Sequence, residues 1–101
     1  MKQTIELNDV QLKTRKAIIK YCYESGDETV TMPYIVLAIA QAYDNAYQAR
    51  DNVQDIIEAV VGTIYLVDGD TVRYAIKTMT FKPERIIFQV DVDTIKAIVE
   101  G

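Results

Sequence analysis

Histidine and tryptophan are absent from this sequence of 101 residues, and cysteine occurs once, as Cys22. Without histidine, the chain lacks the commonest general base and the commonest metal ligand of proteins. A single cysteine excludes an internal disulfide, and without histidine it also excludes a zinc site of the Cys/His kind. An enzyme built from these residues would depend on carboxylates, lysine, tyrosine or one thiol. We therefore expect a protein that is not an enzyme and that carries no cofactor and no metal.

Long apolar runs are also missing. The longest one, Tyr34 to Ala40, is far shorter than the ~20 residues that a membrane-spanning helix needs. Charged side chains interrupt residues 1–20 repeatedly, which is not the pattern of a secretory leader. Hydrophobic residues make up 50% of the chain, which is enough for a core without disulfides. The sequence predicts one domain, residues 1–101, that is cytoplasmic and does not bind a membrane.

The first part of the chain carries helical signals on either side of a short extended segment. Apolar residues recur at helical spacing over Val10–Glu24, and Asn8 or Asp9 is a suitable N-cap. Residues 29–31 are β-branched and predict a brief strand. Pro33 suits the first turn of a following helical region, because its missing N–H would be unpaired there in any case.

After Gly62 the period of the apolar pattern changes from helical to two, which predicts strands. Asp68-Gly69-Asp70 is a hairpin turn signal, and Asp93 or Thr94 can cap a short last helix. The predicted strands are residues 63–67, residues 71–76 with an extension through 77–81, and residues 85–92. The expected fold is α+β: an N-terminal helix, a long central helix or helix pair, a three-stranded antiparallel sheet and a short C-terminal helix.

A heptad seam runs through the central region, with apolar residues spaced alternately four and three apart. The seam consists of Ile35, Ile39, Ala42, Ala46, Ala49, Val53, Ile56 and Val60. It favours one helix of about 29 residues, on the order of 43 Å, over two helices with a turn at Asp44-Asn45. Such a helix exceeds the size of a domain whose radius of gyration is roughly 13 Å. One prediction is a homodimer in which a second copy covers the seam, and the alternative is coverage within the monomer.

The order of helix, short strand, two helices, glycine and hairpin resembles that of winged-helix DNA-binding domains. The counterparts are residues 9–24, 29–31, 33–43 and 45–61, with the hairpin 63–76 as the wing. The resemblance is one of element order and not of a residue motif. It implies a DNA-binding transcriptional regulator whose recognition helix reads base edges through Asn45, Gln48, Arg50 and Asn52. The basic side chains of the first helix would contact nucleic acid in the same alternative: Lys13, Lys16 and Lys20.

The charge distribution argues against contact with DNA. Residues 1–20 carry a net charge of +3, residues 21–70 carry −8, and residues 71–101 carry +1. Phosphate neutralisation supplies most of the nonspecific affinity for DNA. The elements that would meet the phosphates are acidic, since the wing tip is Asp68-Gly69-Asp70.

An acidic, tyrosine-bearing helical face is the leading candidate for a binding site, since tyrosine gives large contact area at low entropy cost. Its predicted partner-binding residues are Asp44, Tyr47, Asp51, Asp55 and Glu58. Tyr23 and Tyr65 also fall away from the main apolar faces. Such a surface suits a basic protein partner and could present carboxylates where phosphates would bind. We expect a protein-interaction or inhibitor module, by analogy with small phage or plasmid accessory proteins that act on a nucleic-acid-binding host factor.

Two further candidate sites have simpler structural explanations. Asp68 and Asp70 together with Asp91 and Asp93 offer oxygen ligands for Ca²⁺ or Mg²⁺, but turn formation and helix capping explain the same residues. Cys22 could act as a nucleophile, yet it lies on an apolar helix face, where free cysteine is usually a small core residue. In both cases the structural explanation is favoured.

Overall fold

The computed structural model describes residues 9–33 and 46–101, without the side chains of Val10 and of residues 46–53. The elements are α1 (Asp9–Ser25), β1 (Thr29–Pro33), α2 (Ala46–Val61), β2 (Tyr65–Asp68), β3 (Thr71–Tyr74), β4 (Ile76–Phe81), β5 (Arg85–Val90) and α3 (Val92–Glu100). The α+β architecture expected from the sequence is confirmed. Whether the central region is one helix or two depends on residues 34–45, which lie outside the described residues.

Helix α1 buries the apolar face that its sequence spacing predicts. Thr14, Ile18 and Cys22 recur every fourth residue and are all buried. Gly26 follows the helix with a φ of 69°, and its N–H donates to the carbonyl of Cys22 at 3.2 Å. This left-handed conformation favours glycine, so Gly26 ends the helix as expected.

The main sheet has the strand order β1-β5-β4, with both pairs antiparallel. Its central strand β5 alternates buried and less buried positions, and Ile86, Phe88 and Val90 face the core. Burial of each of these side chains stabilises the fold by roughly 1.5–3 kcal/mol relative to exposure. The sequence predicts that Pro33 begins a helix. In the structure Pro33 instead ends β1, opposite Arg85. An edge strand such as β1 tolerates proline because no ladder hydrogen bond is needed on its outer side.

The predicted strand 71–76 with its extension through 77–81 is divided in the structure at Ala75. The Ala75 N–H donates to the Ile64 carbonyl at 3.0 Å, and the Ala75 carbonyl accepts from the Asp91 N–H at 2.8 Å. Strand β3 therefore stays with β2 in a separate two-stranded sheet, while β4 joins β5. The side chain of Ala75 is fully buried at this junction.

Helix α1 packs on both α2 and α3. The Arg15 guanidinium donates to the Thr63 hydroxyl at 3.2 Å and to the Thr63 carbonyl at 3.3 Å. The same hydroxyl donates to the Val60 carbonyl at 2.6 Å. A cation is thereby held at the C-terminal end of α2, where the helix dipole favours positive charge.

Helix α3 begins earlier than the sequence predicts and has a different cap. It starts at Val92, and its N-cap is Asp91, whose Oδ1 accepts from the Thr94 N–H at 3.2 Å. The predicted caps Asp93 and Thr94 both lie within the helix. None of the helices among the described residues has the length and apolar composition needed to cross a bilayer.

Candidate interaction surface

Four of the six exposed large hydrophobic side chains among the described residues lie on the β2–β3 hairpin. Its turn is the predicted Asp68-Gly69-Asp70 segment, in which Gly69 has a φ of 63°. Asp70 does not have a positive φ. Glycine at the first of two central turn positions is the requirement of a type II′ turn, which matches the twist of the flanking strands. The turn therefore fixes the register of the two strands.

That register places four apolar side chains on one face. Tyr65 lies opposite Tyr74, and Val67 lies opposite Val72. Directly opposed side chains and alternate residues of a strand share a face, so the four form one surface. Their exposed fractions are high: 45% for Tyr65, 62% for Val67, 46% for Val72 and 53% for Tyr74. We call this surface the hairpin face.

The tyrosine rings of the hairpin face contact each other across the strands. Their centroids are 5.9 Å apart and the planes are inclined at 60°, which is within the range of tilted aromatic pairs. The pair holds two large amphipathic side chains side by side while leaving about half of each exposed. A partner would therefore meet an ordered aromatic surface and would order few additional side chains.

The opposite face of the hairpin packs toward the body of the protein. Leu66 and Arg73 are half-buried there, and β2 packs against α3. Partial burial acts to raise the pKa of Asp91. The hydrogen bonds from Thr94 and the positive charges of Arg73 and Lys77 outweigh this effect, so the pKa of Asp91 lies below its ordinary value. The hairpin is thus anchored on one face and open on the other.

The charge near the tip of the hairpin is negative. Asp68 and Asp70 are both exposed in the turn. On α2, Asp55 and Glu58 are exposed as well, as expected for two of the predicted partner-binding residues. For Tyr47 and Asp51 the structure gives a place in α2 without side chains, and Asp44 lies outside the described residues. The predicted acidic face is therefore described only in part.

The predicted packing seam is described even less completely. Ala46, Ala49 and Val53 lie in α2 without described side chains. Three other predicted seam positions lie outside the described residues: Ile35, Ile39 and Ala42. Further along the seam, Val60 is buried and Ile56 is half-buried in the core of the monomer. The homodimer stays a prediction.

The residues of the DNA-binding alternative fall into two groups. Lys13, Lys16 and Lys20 are exposed on α1. The recognition-helix residues are Gln48, Arg50 and Asn52, which lie in α2 without described side chains, and Asn45, which lies outside the described residues. The structure brings the lysines together on one helix and leaves their relation to the other group undescribed.

Tyr23 has a structural partner, although its sequence position indicated a free aromatic side chain. Its hydroxyl donates to Oε2 of Glu100 at 2.7 Å, joining the C-terminal turns of α1 and α3. This hydrogen bond, together with the negative charge of Glu100 and slight burial, raises the pKa of Tyr23 above its ordinary value. The phenol is therefore protonated at neutral pH and acts as a donor between the helices.

Two of the candidate catalytic and metal-binding groups, Cys22 and Asp91, have structural roles. Burial raises the pKa of the Cys22 thiol to about 12, so the reactive thiolate is scarce at neutral pH. Asp91 is occupied as a helix cap. No cluster of three potential metal-ligating Cys, Asp or Glu side chains occurs among the described residues.

Three of the four residues of the hairpin face were missed in the sequence: Val67, Val72 and Tyr74. The signal that could have found them is the alternation of apolar residues outward from Asp68-Gly69-Asp70, which pairs position 67 with 72 and position 65 with 74. Alternation alone does not say which face of a hairpin is covered by the rest of the fold.

Comparison with known protein families, with curated proteins and with solved structures finds no match for this chain.

Proposed function

We propose that this protein is a non-catalytic binding module whose hairpin face docks onto another protein. The observation that carries the proposal is the ordered exposure of Tyr65, Val67, Val72 and Tyr74 on one side of the hairpin. Interface cores are enriched in tyrosine and in fully desolvated apolar contacts. A hairpin anchored on its other face supplies such a surface without a large ordering cost.

The charge around the hairpin face indicates the partner. Asp68 and Asp70 are exposed at the turn that joins the two strands, and Asp55 and Glu58 are exposed on α2. The partner in this proposal is a cytoplasmic protein with an apolar patch flanked by lysine or arginine. If those basic residues belong to a nucleic-acid-binding site, docking blocks that site, which is the inhibitor activity expected from the sequence.

Capture from a cell extract with immobilised protein tests the proposal. The variant carries Val67→Thr and Val72→Thr, which keep the β-branched shape and remove apolar character. The matched control is Thr31→Ser with Thr80→Ser, at two exposed β-branched positions of the main sheet. We expect the wild type and the control to retain one specific protein and the double variant to lose it. Equal retention by all three proteins, or equal loss in the control, would overturn the proposal.

DNA binding remains the alternative, favoured by the three exposed lysines of α1. A gel shift at 50 mM salt separates the two hypotheses, because phosphate contacts are strongest at low salt. We expect no shift with the wild type. A shift that Lys13→Glu, Lys16→Glu and Lys20→Glu together abolish would favour DNA binding over the hairpin-face proposal.

A further inference from the structure

A second open surface lies on a pair of helices, α1 and α3. A groove of about 450 Å³ follows α1 to where it meets the C-terminal part of α3. The α1 residues that line it recur at three- and four-residue intervals, so they form one helical face. The lining residues are Leu12, Arg15, Lys16, Ile19, Lys20, Tyr23 and Val99. We call this surface the α1–α3 groove.

The floor of the α1–α3 groove is apolar. Leu12 is 51% exposed and Val99 is 44% exposed, while Ile19 is half-buried between them and the core. The hydrogen bond from Tyr23 to Glu100 holds the two helices together at one end of the groove. The apolar strip is therefore formed before any partner arrives.

The rim of the groove is basic. Lys16 and Lys20 are exposed one helical turn apart on the same side of α1. Arg15 also lines the groove, but its guanidinium is engaged by Thr63. Residues 1–20 carry a net charge of +3 in a chain whose total is −4, so residues 21–101 together carry −7.

We propose that the α1–α3 groove binds an acidic amphipathic helix of a partner protein, at a site separate from the hairpin face. From Leu12 to Tyr23 the groove covers 12 residues of α1, or roughly 16 Å, which matches about three turns of a helix. Apolar side chains at positions i, i+3 and i+7 of the partner would cover Leu12, Ile19 and Val99. Its flanking carboxylates would meet Lys16 and Lys20.

The apolar floor is what favours a peptide over nucleic acid. A phosphate backbone would neutralise the two lysines but would leave Leu12 and Val99 exposed to water. The free energy available from burying these roughly half-exposed side chains would then not be gained. An amphipathic helix satisfies the lysines and buries the floor in the same contact. Only the helix uses both properties of the groove.

The test is a titration of the full chain with a designed helical peptide that carries leucine at i, i+3, i+4 and i+7 and glutamate on both flanks. Binding is followed by fluorescence anisotropy and by amide chemical shifts. Lys16→Glu with Lys20→Glu removes the rim, and Leu12→Gln weakens the floor. The matched charge control is Lys77→Glu with Arg85→Glu, two exposed basic residues of the sheet region. A double-stranded DNA oligonucleotide serves as the phosphate probe.

We expect chemical-shift changes concentrated on α1 and the end of α3. The affinity for the peptide should fall at least about tenfold in the rim variant and about fivefold in Leu12→Gln. In the charge control the affinity should change little. A Lys77/Arg85 control that loses as much as the rim variant would show nonspecific attraction and overturn the proposal. So would absence of binding at millimolar peptide, or DNA binding that is tighter and equally dependent on Lys16 and Lys20. Groove amides shielded from a soluble paramagnetic probe in the free protein would also overturn it, since the chain itself would then occupy the site.

Discussion

The rings of Tyr65 and Tyr74 lie 5.9 Å apart across the hairpin, and about half of each side chain is exposed. Paired aromatic residues usually stabilise a sheet by covering one another or by covering a core. Here they cover one another and nothing in the described core. This relationship leads to a stability prediction for the two tyrosines.

Replacing the paired tyrosines should cost little stability. We expect Tyr65→Thr and Tyr74→Thr each to lower the free energy of unfolding by less than about 1 kcal/mol, with a coupling of about 0.5 kcal/mol between them. The comparison is Phe88→Ala, because Phe88 is fully buried and its truncation should cost roughly 3–5 kcal/mol. Urea unfolding of the three single variants and the tyrosine double variant gives these values. Losses of about 3 kcal/mol at either tyrosine would mean that the hairpin face is part of the core.

The N-cap of α3 should make stability depend on pH in a defined direction. Asp91→Ala removes the acceptor of the Thr94 N–H and should cost about 1 kcal/mol at pH 7, whereas Asp91→Asn keeps an acceptor and should cost less. The pKa of Asp91 is lowered in the folded protein, so its charge-dependent stabilisation is present above the unfolded value of about 3.9 and is lost as pH falls through the folded value.

Urea unfolding of the wild type and both Asp91 variants between pH 7 and pH 3 tests this linkage. The advantage of wild type over Asp91→Asn should shrink below about pH 4. An advantage that grows on acidification, or an Asp91→Ala variant as stable as the wild type at pH 7, would contradict the assignment of Asp91 as a charged cap.

A buried hydroxyl offers a stabilising substitution. The Thr94 side chain is fully buried, and its Oγ1 has no hydrogen-bond partner among the described residues. Desolvating such a group costs about 1–3 kcal/mol, and valine has nearly the same shape and helix propensity. Thr94→Val should therefore raise the free energy of unfolding by about 1 kcal/mol in thermal or urea unfolding. Thr78→Val, at an exposed position, is the control and should change it little. A clear loss of stability in Thr94→Val would show that the hydroxyl is satisfied in the folded protein.

The elements set by local signals could be predicted from the sequence. The buried face of α1 follows from the spacing of Ile18 and Cys22, and the hairpin turn follows from Gly69. The pairing of β1 with β5 could not be predicted, because strand partners distant in sequence leave no trace in local periodicity. The break at Ala75 has the same origin, since it depends on hydrogen bonds to Ile64 and Asp91 that only the folded chain brings together.

The cap of α3 and the exposure of the candidate surface both depend on contacts between distant parts of the chain. Asp91, Asp93 and Thr94 are all good cap residues. In the structure the cap is Asp91, whose N–H donates to the Ala75 carbonyl. The apolar residues of the hairpin were visible in the sequence, but their exposure depends on which face α3 covers. The acidic face, which the sequence favoured, lies in a region where the structure describes few side chains.

Site-specific photo-cross-linking tests most directly whether the hairpin face is the docking surface. A benzoylphenylalanine replaces Val67, which is 62% exposed, and in a second protein it replaces Thr80, which is exposed on β4 in the other sheet. We predict a cross-link to one partner from position 67. Excess wild-type protein should compete this cross-link away, whereas excess Val67→Thr, Val72→Thr protein should not. We predict no such cross-link from position 80. Equal cross-linking from both positions, or cross-linking from position 80 alone, would contradict the proposal.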